Sequence, residues 1–495
     1  MRGRPEVRLT ELINGDETQL AGLTEFGQTE ITGLTCDSRM VRPGFLFAAF
    51  PGDQADGREF IAEALGRGAT AVLAPPGTRL HPPTQPASLL TVENPRRAFA
   101  QMAARFYQFQ PRTIAAVTGT NGKTSVVSFL QQMWTRLGHD AACMGTLGVS
   151  GPGIEVGGNL TTPDAVEVHR VLCEIAEAGI ERLALEASSH GLDQFRLDGV
   201  RVSVAGFTNL SRDHLDYHGS MEAYAAAKLR LVEDLIEPGG TLVLNADDDH
   251  AQPFAEAAKR RGLRVISYGR KGRDVRLIDV EPGAEGQKLQ LEILGNTCSP
   301  ELPLVGAFQT HNVLCALGLA IACGEDAAQA AGSLEHLEGV RGRLELCARH
   351  ANGAPVFVDY AHTPDALASV LAALRPHVSG RLVVVFGCGG DRDAGKRPQM
   401  GHIACENADT VFVTDDNPRS EDAAEIRRQV LDGCADATEI GDRAQAIAVA
   451  IGTLNADDLL VVAGKGHEKG QIVGSEVLPF DDAQVVRDVI AGVEP

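Results

Sequence analysis

The stretch most suggestive of chemistry is residues 114–125, IAAVTGTNGKTS. Its apolar start predicts a buried strand, and the glycines that follow predict a tight turn into a helix. Such a turn directs backbone N–H groups toward phosphate oxygens, and the helix N-terminus adds partial positive charge. Lys123 would reach the outer phosphates, and the Thr124 hydroxyl would reach Mg²⁺. The residues predicted to contact a nucleotide here are Gly119, Thr120, Asn121, Gly122, Lys123, Thr124 and Ser125.

This stretch departs from the general phosphate-loop pattern at one position. Val117 stands where the pattern G-x-x-x-x-G-K-[ST] has its first glycine. An ordinary turn between a strand and a helix is therefore the alternative reading. The Lys-Thr pair directly after Gly122 favours nucleotide binding.

Two later strand ends carry polar groups suited to a metal or a phosphate. Glu186 ends the apolar run 183–185, and residues 209–219 follow another predicted strand with two Asp, two His and one Arg. Ligands of open α/β sheets bind at the carboxyl ends of strands, so Glu186 could help to hold Mg²⁺. A capping role or a salt bridge would equally explain Glu186.

Three loops near the C-terminus suggest a ligand with carboxylate and ammonium groups. Arg392 follows one predicted strand, and Arg419 follows the next after the turn-forming pair Asn417-Pro418. Guanidinium groups bind carboxylates through paired hydrogen bonds, and Glu468 could accept an ammonium group. Surface ion pairs are the alternative for the two arginines.

Size, composition and charge limit the class of protein. The chain has 495 residues and a formal net charge of −21, which disfavours nucleic acid and anionic lipid as partners. The N-terminus lacks the apolar segment of a signal peptide, and no run is long enough to span a bilayer. The ten cysteines form no C-x-x-C pair, which favours reduced thiols and a cytoplasmic location.

The elements that must position these residues alternate between strands and helices. This pattern predicts an α/β protein with mostly parallel, doubly wound sheets. We expect three domains, at residues 1–111 (mixed α/β), 112–339 (doubly wound, like a phosphate-loop ATPase) and 340–495 (a second doubly wound, Rossmann-like domain). Residues 275–294 show strand-like patterning and predict an antiparallel extension. Residues 221–236 show a helical pattern, and the Pro-rich residues 75–86 predict a loop.

Together the motifs resemble the Mur ligase family over essentially the whole chain. The resemblance is carried by segments 118–124, 186–191, 209–219, 359–365 and 464–468, which occur in the family's order. Segments 37–39, 43–44 and 56–57 resemble the family's N-terminal UDP-binding domain. Segment 416–419, Asp-Asn-Pro-Arg, resembles members that add meso-diaminopimelate as the third residue of the peptidoglycan stem peptide.

The resemblance implies an ATP-dependent ligase that joins an amine to the D-Glu carboxylate of UDP-MurNAc-L-Ala-D-Glu through an acyl phosphate. It also implies that the C-terminal domain closes over the central one. From its position alone, Lys228 would be a solvated helical lysine. The resemblance instead makes Lys228 the family's carbamylated lysine, whose CO₂ adduct binds a second Mg²⁺, and it places the metals at Thr124, Glu186, His214 and Lys228.

Further site residues follow only from the resemblance. On the nucleotide side they are Asn312, Arg343, Asp359 and His362. Around the UDP-muramoyl substrate they are Ser38, Gln54, Thr161, Thr162, Ser188, Gln194 and Arg196. Around the amino acid they are Arg392, Asp416, Asn417, Pro418, Arg419, Gly464 and Glu468. Leu160 departs from members that have Asn before the Thr pair.

Three alternatives stay open at this point. A lysine-adding member would share the chemistry, and a folylpolyglutamate synthetase would share the mechanism but leave residues 37–39 without a role. A non-catalytic nucleotide-binding regulator would not need Lys123, Glu186, His214 and Lys228 together. The expected ligands are ATP, Mg²⁺ and small-molecule substrates, bound by a monomer.

Overall fold

The computed structural model of the chain describes residues 7–13, 19–21, 28–52, 55–80, 87–158, 160–283 and 286–493. The chain divides into two compact units. The first unit comprises residues 1–274 with 315–326, and the second comprises residues 275–314 with 327–495.

The strands of the first unit are β1 (Val7–Arg8), β2 (Gln19–Ala21), β3 (Glu30–Ile31), β4 (Gly33–Thr35), β5 (Phe45–Ala48), β6 (Ala71–Ala74), β7 (Ser88–Thr91), β8 (Thr113–Thr118), β9 (Ala141–Gly145), β10 (Gly148–Gly151), β11 (Ile154–Val156), β12 (Arg182–Glu186), β13 (Val202–Phe207), β14 (Ile236–Asn245) and β15 (Arg264–Gly269). They form a short antiparallel pair, β1–β3, and two larger sheets. The smaller of these two has the strand order β2-β7-β6-β5-β4, and the larger, whose strand β8 leads into the phosphate loop, runs β11-β10-β9-β12-β8-β13-β14-β15.

From β9 to β15 the larger sheet is parallel, apart from the antiparallel edge made by β10 and β11. Both faces of β8 are buried, which explains its uninterrupted apolar sequence. The helices of this unit are Leu9–Leu12, Ile61–Gly66, Pro95–Tyr107, Lys123–Arg136, Ala165–Glu177, Ser189–Asp193, Leu215–His218, Met221–Arg230 and Ala251–Arg260. The parallel register places the ends of β12, β8 and β13 at one edge.

The second unit has an antiparallel part and a mixed sheet of order β20-β21-β25-β22-β23-β24. Its strands are β16 (Val275–Gly283), β17 (Gly286–Ile293), β18 (Asn296–Cys298), β19 (Glu301–Leu302), β20 (Glu345–Arg349), β21 (Pro355–Asp359), β22 (Leu382–Phe386), β23 (Thr410–Val413), β24 (Thr438–Glu439), β25 (Leu459–Ala463), β26 (Gly470–Val473) and β27 (Glu476–Pro479). Its further helices are Ala327–Gly332, Pro364–Leu374, Lys396–Asn407, Ala423–Leu431, Arg443–Gly452 and Asp482–Ile490, and helix Ala307–Ala322 contributes to both units.

The predicted α/β alternation is confirmed, with two local differences. The helix expected over 221–236 ends at Arg230 and continues as the wider π-turn Leu231–Leu235. Leu231, Val232 and Leu235 are all buried, and the wider turn accommodates this apolar spacing. The edge strands β9–β11 were not predicted, because their glycines obscure the apolar alternation.

The predicted antiparallel extension is present as the β16–β17 pair. No described helix combines the length and the apolar character that a bilayer crossing requires. Part of the loop predicted over 75–86 lies outside the described residues, as does Gln54. The domain boundaries at 111 and 339 stay predictions.

Candidate active site

The turn after β8 has the backbone that the phosphate-loop prediction requires. Gly119 has φ +150°, and a Cβ on it would lie 1.8 Å from the Thr208 hydroxyl oxygen. Gly122 has φ +87° and directly precedes helix Lys123–Arg136. Only glycine fits both positions without strain. The first turn of that helix carries Thr124, which is buried.

Two lysines converge on the carbonyl oxygen of Gly119. Lys123 Nζ donates to it at 2.9 Å and also to Thr120 O at 2.9 Å, and Lys228 Nζ donates to it at 2.7 Å. Lys228 is only 1% exposed and lies over the Tyr224 ring. Burial and the Lys123 charge hold the pKa of Lys228 well below its ordinary value. A neutral amine, the form that combines with CO₂, is thereby favoured at Lys228.

Residues at the end of β13 hold the loop in place. Sequence reasoning included Asn209 in the polar segment 209–219 but gave no specific role to Asn209 or Thr208. Asn209 accepts from Asn121 N through its side chain at 3.0 Å and from Thr120 N through its backbone at 2.8 Å. Thr208 donates its hydroxyl to Asn121 O at 2.6 Å. No local sequence signal marks these contacts, because they depend on β13 lying beside β8 in the sheet.

Glu186 is a buried carboxylate at the end of β12, 1% exposed. It accepts hydrogen bonds from Thr146 N at 2.8 Å and from the Thr146 hydroxyl at 3.2 Å. No lysine, arginine or histidine among the described residues lies within ion-pair distance of it, so the salt-bridge alternative has no support. A buried carboxylate without a cationic partner is suited to a divalent cation.

His214 lies in an exposed part of an aromatic cluster. It has φ +52°, and its Nε2 is 3.5 Å from Asp213 Oδ2. The His190 ring packs 4.8 Å from the His214 ring and 4.2 Å from the Tyr217 ring. Burial, and then the neighbouring His214, lower the pKa of His190. The described residues contain no preformed group of three His, Cys, Asp or Glu side chains able to hold a metal.

Most residues predicted to contact the muramoyl substrate form one hydrogen-bonded set in the first unit. Thr162 donates to Glu186 O at 3.1 Å and accepts from the Ser188 hydroxyl at 3.0 Å. Arg196 donates to Thr162 O at 2.6 Å and to Gln194 Oε1 at 2.7 Å. These hydrogen bonds thus connect the set to Glu186, the predicted metal ligand.

Thr161 joins this set through Thr146, since the two hydroxyls are 2.9 Å apart. Ser38 is not connected to it by any hydrogen bond of the described residues and instead donates to Glu63 Oε2 at 2.8 Å.

In the second unit, three of the four predicted nucleotide-side residues are linked. Asn312 donates to Gln309 Oε1 at 2.9 Å, and Gln309 donates to Arg343 O at 3.3 Å. Asp359 accepts from Leu344 N, next to Arg343, at 2.7 Å. Burial raises the pKa of Asp359, while the Arg343 charge opposes this shift. His362 lies beyond β21 with Nδ1 2.8 Å from Tyr360 O, and burial lowers its pKa.

The predicted amino-acid residues meet at the ends of β22, β23 and β25. Pro418 packs closely against the loop after β22, because a Cβ added to Gly390 in that loop would lie only 1.9 Å from Pro418 O. Asp416 lies close to Gly464, which follows β25, because a Cβ added to Gly464 would lie 2.8 Å from Asp416 Oδ2. Asn417 donates to Glu468 Oε2 at 3.1 Å. The structure therefore brings these five members of the predicted set together. A sixth member, Arg392, lies in the loop after β22, where its guanidinium donates to Asp391 O at 3.5 Å.

Arg419 is held in place by hydrogen bonds to backbone groups of neighbouring loops. Its φ is +53°, and hairpin β26–β27 fixes its backbone, since Arg419 N donates to Ile472 O at 3.0 Å and Gly474 N donates to Arg419 O at 2.8 Å. Its guanidinium donates to Gly390 O at 2.8 Å. No carboxylate of the described residues lies within ion-pair distance of Arg419 or Arg392, so surface ion pairs do not account for them.

Sequence reasoning missed two residues that connect these loops. Arg397 is buried and donates to Glu421 Oε1 at 2.8 Å and to Gly389 O at 3.2 Å. Asp391 has φ +53° and accepts from the Ser420 hydroxyl at 2.6 Å. A buried arginine cannot be inferred from local sequence, because burial is a property of the packed loops.

Comparison with known proteins identifies the family of this chain. Three family models match: "Mur ligase family, catalytic domain" at residues 30–107, "Mur ligase middle domain" at 117–320 and "Mur ligase, glutamate ligase domain" at 342–466. The protein named UDP-N-acetylmuramoyl-L-alanyl-D-glutamate--2,6-diaminopimelate ligase from Bradyrhizobium diazoefficiens is 54% identical, over 98% of this chain and 99% of the relative. Its Caulobacter vibrioides namesake is 52% identical, over 94% and 96%.

Solved structures give the same result. A structure of a ligase with that name has a TM-score of 0.74 and 34% identity over 99% of both chains. A folylpolyglutamate synthase from Mycobacterium tuberculosis, complexed with ADP, has a TM-score of 0.62 at 20% identity, over 74% of this chain and 91% of that one, which is a likeness of fold alone. With all three domains matched and half of the residues shared with full-length relatives, this chain is a member of the Mur ligase family.

Proposed function

We propose that this protein is an ATP-dependent ligase that adds meso-2,6-diaminopimelate to UDP-MurNAc-L-Ala-D-Glu in peptidoglycan precursor synthesis. The observation that carries the proposal is the full-length similarity, at 54% and 52% identity, to two ligases named for that reaction. The Arg419 guanidinium, which has no carboxylate partner among the described residues, supports diaminopimelate as the amine.

The first step activates the substrate. A D-Glu carboxylate oxygen attacks the γ-phosphorus of ATP, ADP leaves, and an acyl phosphate forms. Lys123 Nζ, which donates to two loop carbonyls, would exchange these neutral acceptors for the charged phosphoryl oxygens. The glycine turn and the helix that follows it add backbone donors and partial positive charge.

The residues around the phosphate loop suit divalent cations. Thr124, the unpaired carboxylate of Glu186 and His214 would hold Mg²⁺, and a carbamate on Lys228 would add a further ligand. Bound Mg²⁺ supplies charge neutralisation for phosphoryl transfer. The neutral amine favoured at Lys228 supports carbamate formation there.

The second step forms the amide bond. The amine nitrogen attacks the acyl carbon, inorganic phosphate leaves, and the nitrogen loses its proton. Asp416 and Glu468 provide acceptors that orient the ammonium group, and Arg419 and Arg392 bind carboxylates bidentately. A distal carboxylate bound by Arg419 distinguishes diaminopimelate from lysine.

We further propose that the protein is a monomer, which light scattering would test. The substrates are small molecules rather than nucleic acid, consistent with the net charge of −21. A cytoplasmic location is supported by ten cysteines that are all unpaired, and fractionation of cells would test it.

The deciding experiment measures phosphate release from ATP and Mg²⁺ with UDP-MurNAc-L-Ala-D-Glu, comparing meso-diaminopimelate with L-lysine. Release that requires diaminopimelate is the expected result. Release mainly with lysine would keep the mechanism but reject the amine specificity. No release with either amine would reject this ligase activity and favour a folate-type ligase instead.

A further inference from the structure

Lys465 is a buried ammonium group that the proposed reaction leaves without a role. It lies in the turn after β25, between Gly464 and Glu468, and its side chain is 0% exposed. Its Nζ donates to Asn417 Oδ1 at 2.8 Å and lies 3.5 Å from Glu468 Oε2. Keeping an ammonium group out of water is costly unless its partners are well placed.

The Asn417 amide connects Lys465 to the predicted amino-acid site. Its oxygen accepts from Lys465 Nζ and from Ile472 N at 2.9 Å, and its nitrogen donates to Glu468 Oε2 at 3.1 Å. Lysine can only donate hydrogen bonds, so the atom facing Lys465 must be the amide oxygen. Lys465 and Ile472 N together therefore set the orientation in which the amide NH₂ group faces Glu468.

The Glu468 carboxylate is held from one side. Oε2 has the Asn417 NH₂ group and the Lys465 ammonium as neighbours, whereas Oε1 receives no hydrogen bond from the described residues. The Glu468 side chain is about one-third exposed, at 34%. The remaining oxygen, Oε1, is thus available to accept a hydrogen bond from a ligand ammonium.

Besides Glu468, the charged groups that act on Lys465 are Asp416, Arg443 and Asp482. Burial lowers the pKa of Lys465, and the charge of Asp416 opposes this shift. Arg443 is also buried, but its Nε donates to Asp482 Oδ1 at 2.7 Å. Arg443 thereby forms an ion pair with Asp482, whereas Lys465 donates to Asn417 and lies beside Glu468.

We propose that Lys465 is a positioning residue for the amino-acid site. It fixes the Asn417 amide and, through that amide and its own charge, the Glu468 carboxylate that receives the ammonium group of the incoming amino acid. This inference rests on the proposed function. Under this proposal, Lys465 acts on the part of the amino acid that diaminopimelate and lysine have in common. Arg419, in contrast, acts on the distal carboxylate, which only diaminopimelate has.

The test is steady-state kinetics of Lys465→Met, which keeps the apolar stem and removes the ammonium group. The KM for diaminopimelate should rise at least about tenfold, as expected for losing a hydrogen bond to a charged group. The KM values for ATP and UDP-MurNAc-L-Ala-D-Glu should change less than about twofold, because Lys465 Nζ contacts Asn417 and Glu468, which both belong to the predicted amino-acid site. Lys469→Met is the matched control, because Lys469 is exposed in the same segment.

A double-mutant cycle with Glu468→Gln separates positioning from general damage. If Lys465 acts through Glu468, the double variant should be little worse than Glu468→Gln alone. Additive losses would overturn the proposal, as would an unchanged KM for diaminopimelate in Lys465→Met. A comparable rise in all three KM values would indicate a structural role and would also overturn it.

Asn417→Asp covers the case in which Lys465→Met does not fold. Aspartate keeps an oxygen for Lys465 and Ile472 but places an acceptor opposite Glu468. The same selective rise in KM is expected, and a wild-type KM would overturn the proposal. Wild-type enzyme without ligase activity would instead reject the proposed function, which keeps the two failures distinct.

Discussion

Lys228 Nζ donates a 2.7 Å hydrogen bond to the carbonyl oxygen of Gly119, the first glycine of the phosphate loop. The two residues are 109 positions apart in sequence. They meet because β13, which leads to the helix of Lys228, lies beside β8, which leads to the loop. A lysine that local sequence assigns to solvent is thereby buried beneath the phosphate-binding turn.

Lys228→Met should abolish ligase activity without unfolding the protein. Methionine fills a similar volume and removes a buried amine that is costly to keep in an apolar site. We expect at least about a hundredfold loss of phosphate release, comparable to losing one charge-stabilising group. A ¹³C carbamate signal in ¹³CO₂-equilibrated wild type, absent from the variant, would confirm the adduct. A variant that retains wild-type turnover would show that no such adduct is needed.

Glu186→Gln should raise the Mg²⁺ concentration needed for half-maximal rate. Glutamine can still accept from Thr146 N, so the fold at the end of β12 should be preserved, but the negative charge is lost. We expect an increase of at least about tenfold. Glu181→Gln, an exposed change just before the same strand, is the control. Equal Mg²⁺ requirements in the two variants would remove Glu186 from the metal site.

Arg419→Ala should impair diaminopimelate use far more than ATP binding. An unmatched distal carboxylate in a dry site costs on the order of 2–5 kcal/mol. Competition between diaminopimelate and lysine, together with ATP titration, measures both effects. Arg419→Lys should recover only part of the loss, because an ammonium group cannot bind a carboxylate as a planar fork. Equal losses for amino acid and ATP would contradict the assignment.

Stability should fall in acid because of His169. Burial lowers the pKa of His169 in the folded protein from 6.5 to about 4. The unfolded chain therefore binds one more proton between these values, so the free energy of unfolding decreases as pH falls from 6.5 toward 4. The contribution of His169 to this decrease is about 3 kcal/mol.

Denaturant melts of His169→Gln across this range should show a shallower decrease with falling pH than the wild type. His402→Gln, at an exposed helix position, should keep the wild-type dependence. Parallel pH profiles for wild type and His169→Gln would show that His169 is not the titrating group.

The chemistry of individual turns was predictable from the sequence, because it depends on neighbouring residues. Gly119 and Gly122 are required by the backbone of one turn, and the helix after them is fixed by local pattern. The strands that end at Glu186 and before Asp416 follow from buried apolar runs. Alternating elements likewise determined the α/β class.

The partners of these residues were decided by tertiary structure. The order of strands in a sheet brings Thr208 and Asn209 to the phosphate loop, and no local pattern specifies that order. Lys465 shows the same limit, since nothing in segment 464–468 by itself indicates a buried charge, whereas the folded chain buries its ammonium group against Asn417. Burial, and with it the charge state and hydrogen-bond orientation of a group, depends on contacts distant in sequence, so only the folded chain determines it.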